Sequence, residues 1–290
     1  MATTVMARRV RNNPMQRAGW FGLVTITNLI LILGVFITAI PFLYTISSSF
    51  KPQYEIFTFP IQWLPKEIYW DNYVKLFGET LFVRWFFNTA FVAIARTLLS
   101  IFLCTLAGFA FAKYEFPFKR VLFMIVLASF TIPFEVLLVP LYKMVITWGW
   151  MNSYTVMIVP FAASAFGIFL ARQYALAIPT ELLEAARIDG ANEFTIFLRI
   201  AFPNLKPSLA VMGIIFFQGA WNDFLWPSIV LNDSKMYLIN LALPSLRGPY
   251  GDQYGLVLAG GVLAVLPMII MFFTMQRYFI EGIMAGALKG

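Results

Sequence analysis

The sequence predicts an all-α integral membrane protein, in which a single domain over residues 1–290 carries six transmembrane helices. Apolar residues make up 60% of the chain and charged residues only 12%, whereas about a quarter of the residues in a soluble domain are charged. The chain also contains six apolar runs of roughly the 20 residues that a helix needs to cross a bilayer. Lysine and arginine concentrate in every second segment between these runs.

The six apolar runs define the predicted spans. Helices are expected rather than strands, because a segment in lipid must pair its own backbone hydrogen-bonding groups. No period-two alternation of apolar and polar residues occurs in these runs. The predicted spans are, in chain order, about residues 20–46, 85–112, 121–142, 150–171, 207–232 and 254–276.

The direction of the spans follows from the basic residues, which favour the cytoplasmic side of a membrane. With the N-terminus inside, thirteen of the 21 lysines and arginines fall in inner segments and seven in outer ones, while Arg96 lies within the second span. The short loop from Lys113 to Arg120 gives the clearest indication. Both termini are therefore expected in the cytoplasm.

Composition also argues against several functional classes. The chain has no histidine and one cysteine, Cys104, so histidine-based triads and histidine-ligated zinc sites are excluded. No Gly-x-x-x-x-Gly-Lys-Ser/Thr loop for nucleotide phosphates occurs. The net charge is +7, and the basic residues lie between the apolar runs and form no basic stripe. This arrangement favours contact with an anionic membrane surface over binding of nucleic acid. We therefore expect neither an enzyme nor a nucleic-acid-binding protein.

The inner segment between spans four and five, residues 178–203, is predicted to be a helix-turn-helix. Thr180 can cap a first helix, and Gly190 suits its left-handed end. Asn192 can cap a second helix, which Pro203 is expected to end. The second helix would place on one apolar face Phe194, Phe197, Leu198 and Ala201.

Two interpretations of this hairpin are open from the residues alone. It could lie on the membrane surface, as amphipathic helices do. Alternatively, Ala185 and Ala186 beside Glu184 would make a slim helix that enters a groove on a partner protein.

The hairpin resembles the EAA loop of importer permeases of the ATP-binding-cassette (ABC) class. That signature reads Glu-Ala-Ala, three residues, Gly, nine residues, Ile, one residue and Leu-Pro; Phe202 stands here where Leu is usual. The resemblance implies that the hairpin couples the chain to an ATPase. The residues to which it assigns this contact are Glu184, Ala185, Ala186, Asp189, Gly190, Ile200 and Pro203.

Two further stretches resemble carbohydrate permeases of this class. Residues 221–227, Trp-Asn-Asp-Phe-Leu-Trp-Pro, are similar to their fifth-span motif, and residues 285–290 resemble the ending of the maltose-type second permease. The resemblance implies a sugar permease of the bacterial plasma membrane, supplied by an extracellular or periplasmic binding protein. It also implies a second permease subunit, in a heterodimer, and two ATPase subunits that bind the ATP and Mg, so this chain itself would hold no cofactor.

Three ionisable residues fall inside predicted spans, where charges are costly and usually face a cavity or a partner. Arg96 and Glu135 could form an ion pair between spans two and three, or each could contact a second subunit. For Asp223 there are also two interpretations: it could cap a helix or pack at the outer end of span five, or it could belong to a sugar pathway. Because carboxylates, amides and aromatic faces suit sugars, the candidates for a sugar pathway are Trp221, Asn222, Asp223 and Trp226.

Other functions are weighed against this one. The cargo could be another small solute, such as an amino acid, phosphate or peptide, although the 221–227 motif disfavours it. An ion-coupled carrier or channel would need inverted repeats or broken helices around a midplane site, which the sequence does not suggest. A membrane-embedded enzyme would have only carboxylate chemistry available.

Overall fold

The computed structural model describes the backbone over residues 14–248 and 253–287, and the side chains over 23–248 and 253–275. The basic residues of the first 13 positions and the last three residues of the predicted tail motif lie outside the described residues. Within the described backbone every regular element is a helix and no strand occurs, so the predicted fold class is confirmed at this level.

The helices follow one another with short connections. Short 3₁₀ turns lie at Val159–Phe161, Ser234–Met236 and Leu243–Arg247, and a π turn at Phe197–Ala201. The α-helices are α1 Pro14–Ser49, α2 Gln53–Ile56, α3 Asp71–Glu79, α4 Phe82–Lys113, α5 Lys119–Ser129, α6 Phe134–Thr147, α7 Tyr154–Ile158, α8 Ala165–Leu176, α9 Thr180–Ile188, α10 Glu193–Ile196, α11 Phe202–Asn204, α12 Lys206–Trp221, α13 Leu225–Val230, α14 Ile239–Ala242 and α15 Tyr254–Ala287.

Three helical stretches of the described chain are long and apolar enough to cross a membrane without a break. They are Leu23–Ser49, Phe82–Lys113 and Tyr254–Met275, and they correspond to predicted spans one, two and six. Their bounds differ from the predicted ones by a few residues, because hydropathy marks the apolar centre of a helix and not its ends.

The third and fourth predicted spans are each broken. Helices α5 and α6 meet at 101°, and the segments Tyr154–Phe161 and Ala165–Leu176 meet at 47°. The first break falls at Pro133, which has an extended backbone (ψ 137°) and disfavours a helical conformation in the residue before it. The continuous spans predicted for 121–142 and 150–171 are therefore wrong in shape. A third bent pair joins Glu193–Asn204 to Lys206–Trp221 at 80°, and up to six spans result only if each of the three bent pairs is counted as one.

The fifth predicted span, 207–232, is also interrupted. Helix α12 ends at Trp221 and α13 begins at Leu225, because Asn222 and Asp223 favour local hydrogen bonds over helix continuation. The 16 residues of α12 cover only about 24 Å, less than the roughly 30 Å of a hydrocarbon core. By length and composition, α12 is long enough for a span only together with Glu193–Asn204, from which it is bent by 80°.

Helix α4 forms the centre of the molecule and packs against α8 and α12. Glycine allows the α4–α8 contact to be close: a Cβ atom added to Gly108 would lie 2.6 Å from the Ala171 Cβ and 2.7 Å from the Arg172 backbone nitrogen. Small residues at such crossings let two backbones approach and gain van der Waals contact.

The two ends of α4 hold different substructures. Its 32 residues extend for about 48 Å. Phe82 and Trp85 near its start pack with Leu76 of α3, whereas Phe109 near its end packs with residues of the 178–203 hairpin. The hairpin and the segment between α1 and α4 therefore lie at opposite ends of the helical bundle.

Candidate functional site

The first arm of the hairpin, α9, forms largely as predicted. Gly190 has a φ of +82° and provides the left-handed end of the helix. The Asn192 side chain accepts a hydrogen bond from the Thr195 backbone nitrogen at 2.8 Å, which confirms the predicted cap of the second arm. The predicted cap at Thr180 is wrong, because Pro179 occupies the cap position and Thr180 is already helical.

The second arm differs from a regular amphipathic helix. A π turn at Phe197–Ala201 breaks the 3.6-residue period on which the predicted face depends. Phe197 and Ala201 are buried as expected, but Phe194 and Leu198 are exposed. The predicted single face is therefore split, and half of its apolar side chains point away from the molecule.

Pro203 does not end the second arm. The helix continues through it to Asn204, and the chain turns at Leu205 before α12. In the π turn the Phe202 backbone nitrogen donates to the Phe197 carbonyl, five residues earlier. This wider turn lies immediately before Pro203, which has no N–H group to donate.

An apolar cluster fixes the hairpin to the ends of α4 and α8. The Phe109 and Phe197 ring centroids are 5.8 Å apart, and Lys113 Nζ donates to the Ile178 carbonyl oxygen. The other buried members of the cluster are Ala175, Leu183, Ala186, Ile196, Ala201 and Leu205. Because such packing resists deformation, a force on the hairpin is transmitted to both helices.

A polar triad adds a second attachment at the same place. Arg187 Nε donates to Glu193 Oε1 at 2.8 Å and Arg187 Nη2 to Oε2 at 3.3 Å, which ties the two arms together. The Tyr114 hydroxyl, just after α4, donates to Glu193 Oε2. Sequence reasoning missed Tyr114 and Glu193 as positioning residues, because the partners are 79 positions apart.

The electrostatics of the triad favour its charged form. The hydrogen bond from Arg187, and then that from Tyr114, lower the pKa of Glu193 below its usual value. The pKa of Tyr114 is raised to about 12, first by its burial and then by the bond to Glu193. At neutral pH the triad therefore consists of a carboxylate, a guanidinium and a neutral phenol.

The outer face of α9 is open. Ile188 is 87% exposed, and Ala186 is the signature residue turned inward, into the cluster. In the second arm Ile200 is partly buried and Pro203 is exposed. Six of the exposed residues of α9 and its turn are here called the α9 face: Leu182, Glu184, Ala185, Ile188, Asp189 and Gly190.

The predicted sugar-pathway group is divided by the structure. Trp221 and Trp226 are buried in the chain's own core, and their indole N–H groups donate to the Ala264 and Val156 carbonyls at 3.0 and 2.9 Å. Both rings are covered by neighbouring helices of this chain. Asn222 is exposed and Asp223 partly exposed, so these two remain candidates.

Arg96 is paired with Asp223 and not with Glu135. Arg96 Nη1 lies 3.0 Å from Asp223 Oδ2, and the guanidinium lies over the Phe161 ring, 3.6 Å from its centroid. Of the two interpretations open from the sequence, the Arg96–Glu135 pair is therefore wrong, and Glu135 is exposed in the first turn of α6, beyond the 101° bend. The other interpretation, in which these residues contact a second subunit, stays a prediction.

Asp223 also acts locally, as one of the two sequence interpretations expected. Its Oδ1 atom accepts a long hydrogen bond, 3.4 Å, from the Trp226 backbone nitrogen at the start of α13. Within the described residues, no group of three or more His, Cys, Asp or Glu side chains is arranged to hold a metal ion.

Comparison with known proteins connects this geometry to a family. Residues 100–284 match the model of the binding-protein-dependent transport system inner membrane component. This range contains the whole hairpin, the ends of α4 and α8 that hold it, and Asp223.

Two curated relatives cover nearly the whole chain. The arabinooligosaccharides transport system permease protein AraQ of Halalkalibacterium halodurans is 39% identical over 258 residues, 88% of this chain and 92% of the relative. The lactose transport system permease protein LacG of Rhizobium radiobacter is 32% identical over 260 residues, 90% of this chain and 94% of the relative.

A solved structure has the same fold. It is a bacterial ABC transporter involved in the import of the acidic polysaccharide alginate, and one of its chains superposes with a TM-score of 0.79 at 22% identity. The superposition covers 92% of this chain and 98% of that one.

Proposed function

Since this chain belongs to the family of binding-protein-dependent transport system inner membrane components, we propose that it is a permease subunit of a sugar-importing ABC transporter. Two of its curated relatives are permease proteins of transport systems for arabinooligosaccharides and lactose, and other relatives are permease proteins of sn-glycerol-3-phosphate transport systems. The sugar is an oligosaccharide or a related polyol, delivered by an extracellular binding protein.

The assembly that this function requires has several members. A second, different permease subunit would enclose the pathway together with this chain, and two ATPase subunits would bind the ATP and Mg. The chain would cross the bacterial inner membrane several times, with both termini and the hairpin in the cytoplasm. The excess of basic residues in the inner segments supports this orientation.

The observation that carries the proposal is the geometry of the α9 face. A helix that exposes Ile188 almost completely, beside small Ala185, is suited to a groove on a soluble partner. Its opposite side is attached to α4 and α8 through the Phe109–Phe197 cluster. ATPase closure would therefore move the hairpin together with the inner ends of these two helices.

Closure of the ATPase subunits then biases a two-state equilibrium of the permease pair between outward- and inward-facing forms. The breaks around Pro133 and at residues 222–224 place non-helical backbone within two of the predicted spans. Such backbone is tolerated in a membrane where it is buried in protein or lines a cavity. Asn222 lies at one such break and is exposed, so it is our candidate for contact with the sugar.

A matched pair of glycine substitutions tests the coupling role. Gly190 and Gly149 both have positive φ, +82° and +69°, and an added Cβ meets nothing within 4 Å at either position. Arginine at either site therefore carries a similar backbone strain of about 1–3 kcal/mol. Only Gly190→Arg places the new side chain on the α9 face.

The readouts are co-purification of the ATPase subunits and hydrolysis stimulated by the loaded binding protein. We expect Gly190→Arg to lose both, because a bulky charge would enter the partner groove, whereas Gly149→Arg should keep both. Intact assembly with normal stimulated hydrolysis in Gly190→Arg would contradict the coupling assignment.

Uptake into vesicles distinguishes the proposed function from two alternatives, a permease for another small solute and an ion-coupled carrier. Labelled sugars and amino acids, offered with the cognate binding protein and internal ATP, distinguish a sugar permease from one for another small solute. Accumulation that persists after the ATPase subunits are removed would instead indicate an ion-coupled carrier.

A further inference from the structure

The segment between α1 and α3 exposes an unusual number of large apolar side chains. Phe59 is 97% exposed, although a loop that faced only water would bury such a ring. Each of the other members of the set is more than half exposed. We call residues 54–70 the aromatic segment; its exposed apolar residues are Tyr54, Phe57, Phe59, Ile61, Trp63, Leu64, Ile68 and Trp70.

Hydrogen bonds hold the backbone of this segment in place. The Tyr44 hydroxyl donates to the Ile56 carbonyl at 2.7 Å, and the Tyr69 backbone nitrogen donates to the Phe50 carbonyl at 2.9 Å. The completely buried Lys51 side chain donates to a backbone carbonyl of the segment through Nζ. The apolar side chains are therefore presented outward by a fixed backbone.

The segment continues the apolar surface of the first span. A cleft of about 510 Å³ is lined on one side by the end of α1, including Leu43 and Ile46, and on the other by residues 63–70. In the most apolar part of Leu23–Ser49 no side chain is buried within the chain. Of the α1 residues that line the cleft, only Ser47 is polar, and its hydroxyl group donates to the Trp63 carbonyl.

The chemistry of the segment favours lipid over a protein partner. Helix interfaces inside membranes are enriched in small residues, whereas the exposed residues here are tryptophan, tyrosine, phenylalanine, leucine and isoleucine. Tryptophan and tyrosine concentrate at the level of the lipid headgroups. Lys66, also exposed, can extend its ammonium group to a phosphate from this position.

We propose that the aromatic segment is an interfacial membrane anchor. It lies in the leaflet opposite the hairpin, and the cleft between α1 and residues 63–70 takes an acyl chain of a phospholipid from that leaflet. The anchor would hold the start of α4 at a constant depth, because α3, which follows the segment directly, packs on Phe82. The proposal does not depend on the sugar or on the ATPase.

Spin labels on the intact transporter in phospholipid nanodiscs test the proposal. Cys104 is the only cysteine and is buried, so Cys104→Ser gives a background without exposed thiols in this chain. Single cysteines then replace Leu64, Ile68 and, as a matched control from the same stretch, Glu67. Gel filtration of each labelled complex verifies that the assembly is intact.

Power saturation compares collisions of the label with oxygen, which enters lipid, and with a nickel chelate, which stays in water. We expect labels at 64 and 68 to collide more with oxygen, and the label at Glu67 to collide more with the chelate. Strong collision with the chelate at 64 and 68 would overturn the proposal, because the segment would then face water. Weak collision with both reagents would also overturn it, because a protein partner would then cover the segment.

Discussion

The ion pair between Arg96 and Asp223 makes a quantitative prediction about the membrane interior. Both side chains are about 15% exposed, and Phe161 covers one face of the guanidinium. Substitution of Asp223 by asparagine keeps the size and the hydrogen-bond acceptor of this side chain but leaves Arg96 without an anion. Substitution of Arg96 by methionine has the converse effect on Asp223.

The burial of the pair determines the expected magnitude. Removing one partner from a buried ion pair costs about 3–5 kcal/mol, because the other charge stays buried and unpaired. An exposed pair is worth about 0–1 kcal/mol. We therefore expect Asp223→Asn and Arg96→Met each to destabilise the chain by about 3 kcal/mol. The double substitution should cost much less than the sum, since it leaves no unpaired charge.

The assay is unfolding of the purified transporter in a graded series of denaturing detergent, followed by tryptophan fluorescence. A double-mutant cycle over the four proteins isolates the interaction between the two residues. Glu135→Gln is the matched control. Glu135 is exposed and forms no salt bridge within the described residues, so its loss should change stability by no more than about 0.5 kcal/mol. The reasoning would be refuted if each single substitution destabilised the chain by less than about 1 kcal/mol and the two effects were additive. The pair would then be exposed to water.

Two further predictions concern the packing and the hairpin. Gly108→Ala should destabilise the chain by about 1–3 kcal/mol in thermal unfolding, since the new Cβ would lie 2.6 Å from the Ala171 Cβ. The control Gly219→Ala, where an added Cβ meets nothing within 4 Å, should be neutral or stabilising. Equal effects of the two substitutions would contradict the close α4–α8 contact. Because the bond from Arg187 lowers the pKa of Glu193, its contribution to hairpin stability is complete above the ordinary carboxyl pKa and is lost as pH falls through the lowered value. Amide hydrogen exchange over residues 187–193 should therefore be slower than in Glu193→Gln at pH 7 and equal to it in acid, and a constant difference would count against the triad.

Hydropathy located the apolar runs, since it depends on composition over short windows. The runs that are helical without a break were predicted to within a few residues. Pro133 gave a visible reason for a break, but the 101° angle between α5 and α6 depends on what each helix packs against. A window average does not contain that information.

Within the hairpin, local rules predicted what local interactions determine. The Gly190 turn and the Asn192 cap involve residues at most five positions apart, and both are confirmed. The face of the second arm was predicted incorrectly at Phe194 and Leu198, because a π turn changed the period. That turn lies where Phe197 packs on Phe109, a contact between distant parts of the chain.

The sequence by itself determined the membrane class, the hairpin and the signature that identifies the family, because these features depend on composition and on spacings of a few residues. Only the tertiary structure decided that Arg96 pairs with Asp223, 127 positions away, and that Tyr114 holds Glu193. It also decided that the Trp221 and Trp226 side chains are buried in the core. The physical reason is that ion pairs and buried faces depend on which helices lie side by side, and helix packing joins residues that are far apart in the chain.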